Sequence, residues 1–539
     1  MIVKQVWKVW QWGIGRTVAA TIAAHGNSVS VGMCQGYSAV LLPQLQQGGS
    51  QLVVTDEQAS WIASLGVISN PIGALLAGIL MEIFGRKTTV KLTSLPYIIG
   101  WVLISLSDNI FKLYAGRFIS GVAVGMATAS YVYVAEISQA KHRGTLSASG
   151  PIHVSFGVLT VYILGFIAPW QRVAALCTLC ALLSFIFMCA VPESPPWLAS
   201  RGRDTEALSA LVWLRRNPAA AEAELSELME TISKENNNSH TSPMSRNRRN
   251  MLAVKNVLTP FFRPTAWKPF IILLLFFAFQ EGSGIYIILY YAVNLFQEVG
   301  TGLNEYVASI VVGGVRLVMS VVAAILMNSF GRKTLAVVSG LGMAVSMVAG
   351  GSYEYFYSNL PPTNRPLAWV PLICVLGHVC VSMMGFLQLP WMMNGELFPL
   401  AIRGVMGGIV ASLAHLFIFA SVKTYPDLMH ALGTDGTLWF FGAAALMGAV
   451  YCYIFLPETK GKTLREIELE FSPKEGRDYE KNTMTKYTLK RDFHGHNKNS
   501  FINVENGETM RTPEDCLSGE VPQIFTVEAQ NTKLKRLVA

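Results

Sequence analysis

The sequence predicts an all-α multi-pass membrane protein: twelve transmembrane helices in two six-helix repeats, with a helical loop on the cytoplasmic side between them. Three observations carry this reading. Of the 539 residues, 52% are hydrophobic and 14% charged, where soluble domains hold about a quarter charged residues. Basic residues gather in alternate short loops beside apolar runs long enough to cross a bilayer. Short motifs of the first half return, in order, in the second. The formal charge of +8 is therefore a mark of membrane topology, and nucleic acid is not an expected partner. Eight cysteines lie mostly inside apolar runs. Cys177 and Cys180 form a C-x-x-C with no second ligand pair, so neither a disulfide framework nor a metal site is implied. No cofactor is expected.

Residues 1–16 form a cytoplasmic N-terminus in which Trp7, Lys8, Trp10, Trp12 and Arg16 suit a membrane interface. The first six-helix bundle covers 17–191, with spans at about 17–43, 60–83, 92–107, 113–135, 148–167 and 173–191. The first is the most polar, carrying His25, Asn27 and Gln35, but it holds no Asp, Glu, Lys or Arg. A cytoplasmic loop follows over 192–267, with leucines at helical spacing in two amphipathic segments and a polar, basic stretch at 236–250 expected to be disordered. The second bundle covers 268–456, with spans at about 269–296, 307–328, 334–353, 368–394, 404–425 and 437–456. A cytoplasmic tail, 457–539, is expected to be disordered beyond about 472. Lys87, Lys91, Lys141, Arg143, Arg332, Lys333 and Arg403 share one side, and Asp56, Glu57, Asp108, Glu305, Asp427 and Asp435 the other. Both termini are thus expected in the cytoplasm.

The repeat is explicit in three motifs at nearly constant spacing. Phe84-Gly85-Arg86-Lys87 returns as Phe330-Gly331-Arg332-Lys333, Glu136 with Arg143-Gly144 as Glu396 with Arg403-Gly404, and Pro192-Glu193-Ser194 as Pro457-Glu458-Thr459. Parallel repeats with a solute site between them are a common architecture of secondary transporters. Together with Gly116-Arg117, Pro390-Trp391 and Pro457-Glu458-Thr459-Lys460-Gly461-Lys462-Thr463-Leu464, these motifs mark a chain that resembles the sugar porters of the major facilitator superfamily. Tyr37 to Leu45, Ser60-Trp61-Ile62 and Val422-Lys423-Thr424-Tyr425 are similar to its facilitated trehalose transporter branch. The resemblance implies facilitative sugar transport by alternating access at the plasma membrane, with no enzymatic activity. A monomer in the lipid bilayer carrying a small polar solute is expected. The alternatives are a different polar or zwitterionic solute, and a non-transporting sensor on the same fold.

Two sets of residues carry the functional expectations. A cytoplasmic gate of salt bridges is expected from Arg86, Arg117, Glu136, Arg143 and Glu193 in one half and Arg332, Glu396, Arg403 and Glu458 in the other, since Arg meets carboxylates bidentately. Solute binding is expected around Phe279 to Tyr286, where polar groups and two close glycines interrupt an apolar helix. The family's binding helix reads Q-Q-x-S-G-I-N. Gln280, Ser283, Gly284 and Ile285 match it, while Glu281 stands for the second Gln and Tyr286 for the Asn. Tyr290 and Trp391 supply further aromatic surface; Arg316 falls where the family places an Asn, and Ala414-His415 where it has Asn-Trp. For His415 a hydrogen-bonded packing role is the alternative to solute binding. Glu281 and Arg316 are expected to pair, because a lone charge at helix centre is costly.

Overall fold

The computed structural model describes residues 15–46, 52, 54–239, 263–299, 304–360, 365–399, 402–462 and 464–472. All but Ser472 belong to one compact unit ending at Phe471. The expected disorder beyond about 472 and at 240–250 lies outside the described residues, as do residues 1–14. Helices account for nearly all of the described chain, with no strand among the described residues.

The first half begins with a single helix, Gly15–Gln46. Span 2 comprises Asp56–Ile68 and Asn70–Phe84, and starts on a capping box in which Thr55 and Gln58 exchange hydrogen bonds. Span 3 is Arg86–Ser105. It starts six residues before the hydrophobic run that predicted it, because long basic side chains can extend to the interface while their backbone stays helical. Span 4 comprises Ile110–Met126 and Thr128–Ile137. A short helix, Ala140–Ser147, leads into span 5 at Ser149–Ile167, and span 6 is Trp170–Cys189.

The loop between the halves forms three helices, Pro195–Ser200, Asp204–Arg215 and Pro218–Ser239. The last continues through 236–239, where disorder was expected. The loop is fastened to the first half. Tyr133 Oη donates to the Pro192 carbonyl at 2.8 Å, and Arg215 reaches the Ile137 carbonyl at 3.0 Å. Arg215 also holds Glu224 through two bonds of 2.8 Å.

The second half repeats the plan with more interruptions. Span 7 is three pieces, Pro264–Gly282, Ile285–Tyr290 and Ala292–Val299. Spans 8 and 9 are Glu305–Ser329 and Arg332–Tyr357. Span 10 breaks between Val370–Met384 and Leu389–Asn394. Spans 11 and 12 run through Arg403–Phe455, separated only by Gly433 at φ 71°. Among the described residues, eight helices are long and apolar enough to cross a membrane by length and composition alone. One of these, Val405–Phe455, contains two crossings, and spans 1, 3 and 7 fall outside that set. Spans 1 and 7 are diluted by polar residues and span 3 by basic ones, which is how solute-facing and interfacial helices differ from lipid-facing ones.

Packing within each half is close and its outside is greasy. A Cβ on Gly73 would lie 1.9 Å from the Val122 carbonyl, and one on Gly125 1.9 Å from that of Asn70, so spans 2 and 4 touch backbone to backbone. Leu75 and Val345 are 65% and 70% exposed, a surface that suits lipid and not water.

Candidate functional site

The break in span 7 lies between the halves and is built by its own residues. Ser283 Oγ donates to the Gln280 carbonyl at 2.6 Å, and Gly284 takes a left-handed φ of 77°. A side chain there would meet the Phe441 ring at 2.5 Å, so both the conformation and the space select glycine. Carbonyls freed by the break find partners on other spans. Tyr162 Oη of span 5 donates to Leu289 at 2.8 Å, and Ser421 Oγ of span 11 to Glu281 at 3.3 Å. The Gln280 amide bridges to the second break, donating to the carbonyls of Phe386 (2.7 Å) and Leu387 (2.9 Å) in span 10. Gln280 therefore ties two broken helices together with its nitrogen, while its Oε1 has no partner.

Around these breaks the residues expected to bind solute are gathered. Tyr286 and Tyr290 are buried, and both lie within electrostatic reach of Glu281 and of Arg316. Trp391 meets Phe277 edge-on at 4.9 Å and His415 at 5.3 Å. The expected ion pair is not formed. Both Glu281 oxygens and Arg316 Nε are without a hydrogen-bond partner, although the residues are only 3% and 7% exposed. Tyr286 and Tyr290 flank the two charges, Arg316 facing these phenols and that of Tyr162. His415 has a different place. Its Nδ1 is 2.7 Å from the Ala411 carbonyl, and its Nε2 lies 3.3 Å from the Asn70 amide of span 2 when that amide donates to Gly66 and Gly121. It thus supports a contact between the halves.

The repeated arginine–glutamate motifs form two matching networks, each within one half. Arg86 Nε meets Glu136 at 3.0 Å and also pairs with Glu82 at 3.3 Å; its Nη1 donates to the Met81 carbonyl at 3.1 Å. Arg332 meets Glu396 at 3.6 Å and donates to the Met327 carbonyl at 3.0 Å. Ser194 donates to Glu136, and Thr459 donates to Glu396 at 2.7 Å. Glu193 and Glu458 act as helix caps more than as ion-pair partners. Glu193 accepts from the backbone N–H of Lys87 at 2.7 Å, and Glu458 from those of Arg332 at 2.9 Å and Lys333 at 3.2 Å, each at the start of a span. Burial alone would push the Glu458 carboxyl up, but the N–H groups of Lys460, Arg332 and Lys333 and the Arg332 charge hold it below its ordinary value.

Two gate residues are placed differently from expectation, and a third lies outside the described side chains. Arg143 donates to the Ala135 carbonyl at 3.0 Å and not to Glu136, because it sits on the next short helix. The Arg403 side chain lies outside the described residues. Arg117 is no part of this gate: it is buried seven residues after the Asp108–Lys112 end of span 4 begins, and bonds Ser38 Oγ (2.6 Å) and the Ile62 (3.0 Å) and Cys34 (3.3 Å) carbonyls. A buried guanidinium satisfied by neutral acceptors needs no carboxylate.

Sequence reasoning missed the opposite closure. Lys423 of span 11 donates to Ser60 Oγ of span 2 at 2.6 Å and stands 4.7 Å above the Trp61 ring, which in turn meets Phe419 at 6.2 Å. Beside it, Asn294 of span 7 donates to Gln46 of span 1 at 3.0 Å. These contacts join the halves at the ends remote from the arginine–glutamate networks. The signal was present in Ser60-Trp61 and Lys423, but a contact between residues 363 positions apart has no local signature.

A "Sugar (and other) transporter" family model matches residues 12–471. The facilitated trehalose transporter Tret1 of Culex quinquefasciatus is 31% identical over 453 residues, 84% of this chain and 85% of that one. The Tret1 of Apis mellifera ligustica is 31% identical over 455 residues, covering 84% and 88%. The Tret1 of Drosophila mojavensis is 32% identical, and there the match spans only 51% of the longer relative. Among solved structures, the proton:xylose symporter XylE bound to 6-bromo-6-deoxy-D-glucose superposes with a TM-score of 0.66 at 24% identity, covering 85% of this chain and 99% of that one. The inward-open xylose transporter XylE from E. coli gives 0.66 and 24%, covering 83% and 98%. This likeness establishes the major facilitator fold.

Two outcomes follow from the networks. Replacing Lys423 by Met should favour opening at the Ser60 end, since a cation–π contact and its hydrogen bond contribute about 1–2 kcal/mol. The readout is faster labelling of a cysteine at position 64, in a cysteine-free background, by an impermeant maleimide applied from the Asp56 side; unchanged labelling would remove Lys423 from the closure. Glu458 supplies a pH dependence. A carboxylate held below its ordinary pKa stabilises the fold above the unfolded-state value, and that stability is lost as pH falls through the folded value. The melting temperature of purified protein should hold from pH 7 to about pH 4.5 and drop as pH falls below that, through the depressed folded value, and drop less in Glu458→Gln. Identical pH profiles would show that the cap carries no linkage.

Proposed function

This chain belongs to the sugar transporter family, and from that premise we propose that it moves a sugar across a membrane by facilitated diffusion, alternating access between its two six-helix halves. It is a multi-pass membrane carrier and not an enzyme. The observation that carries the reading is the set of buried, unsatisfied polar atoms where span 7 breaks between the halves: Gln280 Oε1 and both oxygens of Glu281, with Arg316 Nε opposite. In a bilayer such groups are costly unless water or solute completes them. A sugar fits the demand, since each hydroxyl both donates and accepts, while Tyr286, Tyr290 and Trp391 offer faces to its C–H surface. The names of the trehalose transporter relatives place trehalose with the hexoses as the first solutes to test.

The closed Lys423 end and the separate cytoplasmic networks support a conformation open on the network side. The orientation of that side toward the cytoplasm, residence in the plasma membrane, a monomeric carrier, and the division into 17–191 and 268–456 bundles with 192–267 and 457–539 cytoplasmic belong to this proposal. The orientation rests on the basic residues of the alternate loops, the boundaries on the apolar runs, and the membrane and monomeric state on the family resemblance.

Transport should be driven by the solute gradient alone. Arg117 in span 4 bonds Ser38 Oγ of span 1 and the Ile62 and Cys34 carbonyls, and span 1, Gly15–Gln46, contains no Asp or Glu that could exchange a proton with it. Proteoliposomes of the full chain should equilibrate radiolabelled trehalose or glucose saturably and never concentrate it. Accumulation above the external level that a protonophore abolishes would overturn facilitated transport. Topology has its own check: single cysteines near Gly48 and near Asn238 in intact cells should label with impermeant maleimide only at the former, and the reverse pattern would invert the orientation.

A further inference from the structure

We propose that the central site accepts, besides neutral sugars, a zwitterionic solute that places an ammonium group at Glu281 and a carboxylate at Arg316. This rests on the transport reading of the same site. Two opposite formal charges sit on neighbouring spans 7 and 8, 3% and 7% exposed, and do not pair with each other. Both lie within electrostatic reach of the same two phenols, Tyr286 and Tyr290, so they bracket one small region. Opposite charges buried on neighbouring helices ordinarily gain by pairing, since each alone is costly at membrane depth. A pair held apart with its hydrogen-bonding atoms open is a site awaiting two charges of its own.

The balance of charge selects the solute class. A neutral sugar supplies hydrogen bonds but neutralises neither group. A simple cation answers Glu281 and leaves Arg316 unpaired; a simple anion does the reverse. Only a molecule with both ends converts two unpaired charges into two charge-assisted contacts while the occupied site stays neutral. At the Arg316 end the planar guanidinium matches a carboxylate bidentately, and at the Glu281 end two free oxygens can share the three N–H donors of an ammonium. Gln280 Oε1 and Gln388 Nε2, also buried and unsatisfied, remain for hydroxyls or further polar groups of the cargo.

The test uses proteoliposomes of the full chain with labelled glucose as reporter. Glycine, β-alanine and 4-aminobutyrate form a series of increasing charge separation; butylamine and butyrate carry one charge each. At least one member of the series should enter saturably and compete with glucose about tenfold better than either single-charge analogue. Glu281→Gln and Arg316→Asn should each weaken that competition by roughly tenfold. The exchange of the two residues, Glu281→Arg with Arg316→Glu, should recover part of it, which a merely misfolded protein could not do. Glucose flux with no zwitterion uptake, or equal competition by zwitterion, butylamine and butyrate, overturns the inference and leaves sugar transport standing. Absence of any flux from monodisperse protein overturns the transport reading itself.

Discussion

The structure depends on one constraint: at membrane depth there is no water to complete a polar group, so each must be bonded within the protein or meet a cargo. Most of the molecule obeys the first option. Asn27, buried in span 1, donates to the Val90 carbonyl at 2.8 Å and accepts from Ser94 and Ser184 at 3.1 and 3.0 Å. Arg117 is surrounded by acceptors from spans 1 and 2. The broken helices are stitched by Gln280, Tyr162 and Ser339, the last accepting from the Phe386 N–H at 3.0 Å. Open buried atoms remain in both halves, among them those of His25, Gln35 and Tyr97 on spans 1 and 3. Those of Gln280, Glu281, Arg316 and Gln388 lie on spans 7, 8 and 10, which include both helix breaks, and for them the second option applies.

The same constraint accounts for the asymmetry between halves. Spans 2 and 4 of the first half press backbone on backbone through Gly73 and Gly125, and the loop between the halves fastens to span 4 through Tyr133 and Arg215. The second half carries both broken spans, 7 and 10, whose irregular backbone is tolerated only where it is buried in protein or lines a cavity. The first half therefore serves as the firmer body, and the second supplies the irregular backbone at the site. Its arginine–glutamate network is also thinner. Arg86 has both Glu82 and Glu136 to hold, while the position of Glu82 is Asn328 in the repeat and Arg332 reaches Glu396 at 3.6 Å.

Much of this was legible in the sequence, for identifiable reasons. Hydrophobic length gave the twelve crossings, and the repeated motifs gave the duplicated architecture, because both are written in local composition. Span edges slipped where local composition and backbone diverge: span 3 begins at Arg86 and not at Leu92, and residues 236–239 continue a helix despite their polarity. Arg117 was grouped with the gate because it shares a Gly-Arg pattern with the loop motifs, yet it stands inside span 4. The Glu281–Arg316 pairing followed from energetics applied to two residues without their surroundings; the flanking tyrosines and the breaks in the helices were not in that argument. The Lys423–Trp61 closure was invisible because it depends on how the two bundles meet.

That meeting combines close apolar packing with a few polar contacts. Span 5 packs along span 8 and span 2 along span 11, and a side chain on Gly313 of span 8 would meet Leu159 of span 5 at 3.1 Å. The polar contacts are a lysine on a tryptophan ring with one hydroxyl bond, the Tyr162 bond to Leu289, the Asn294–Gln46 bond and the Asn70–His415 approach. Each of these contributes about 1 kcal/mol net, so the polar part is comparable with the differential affinity a small solute must supply to shift a two-state equilibrium substantially. Within each half, by contrast, glycine-mediated backbone contact and the arginine–glutamate networks resist any change of shape. A cargo bound at Glu281 and Arg316 can therefore bias which end is closed without loosening either bundle, and rigid-body rocking is the low-cost motion left to the chain.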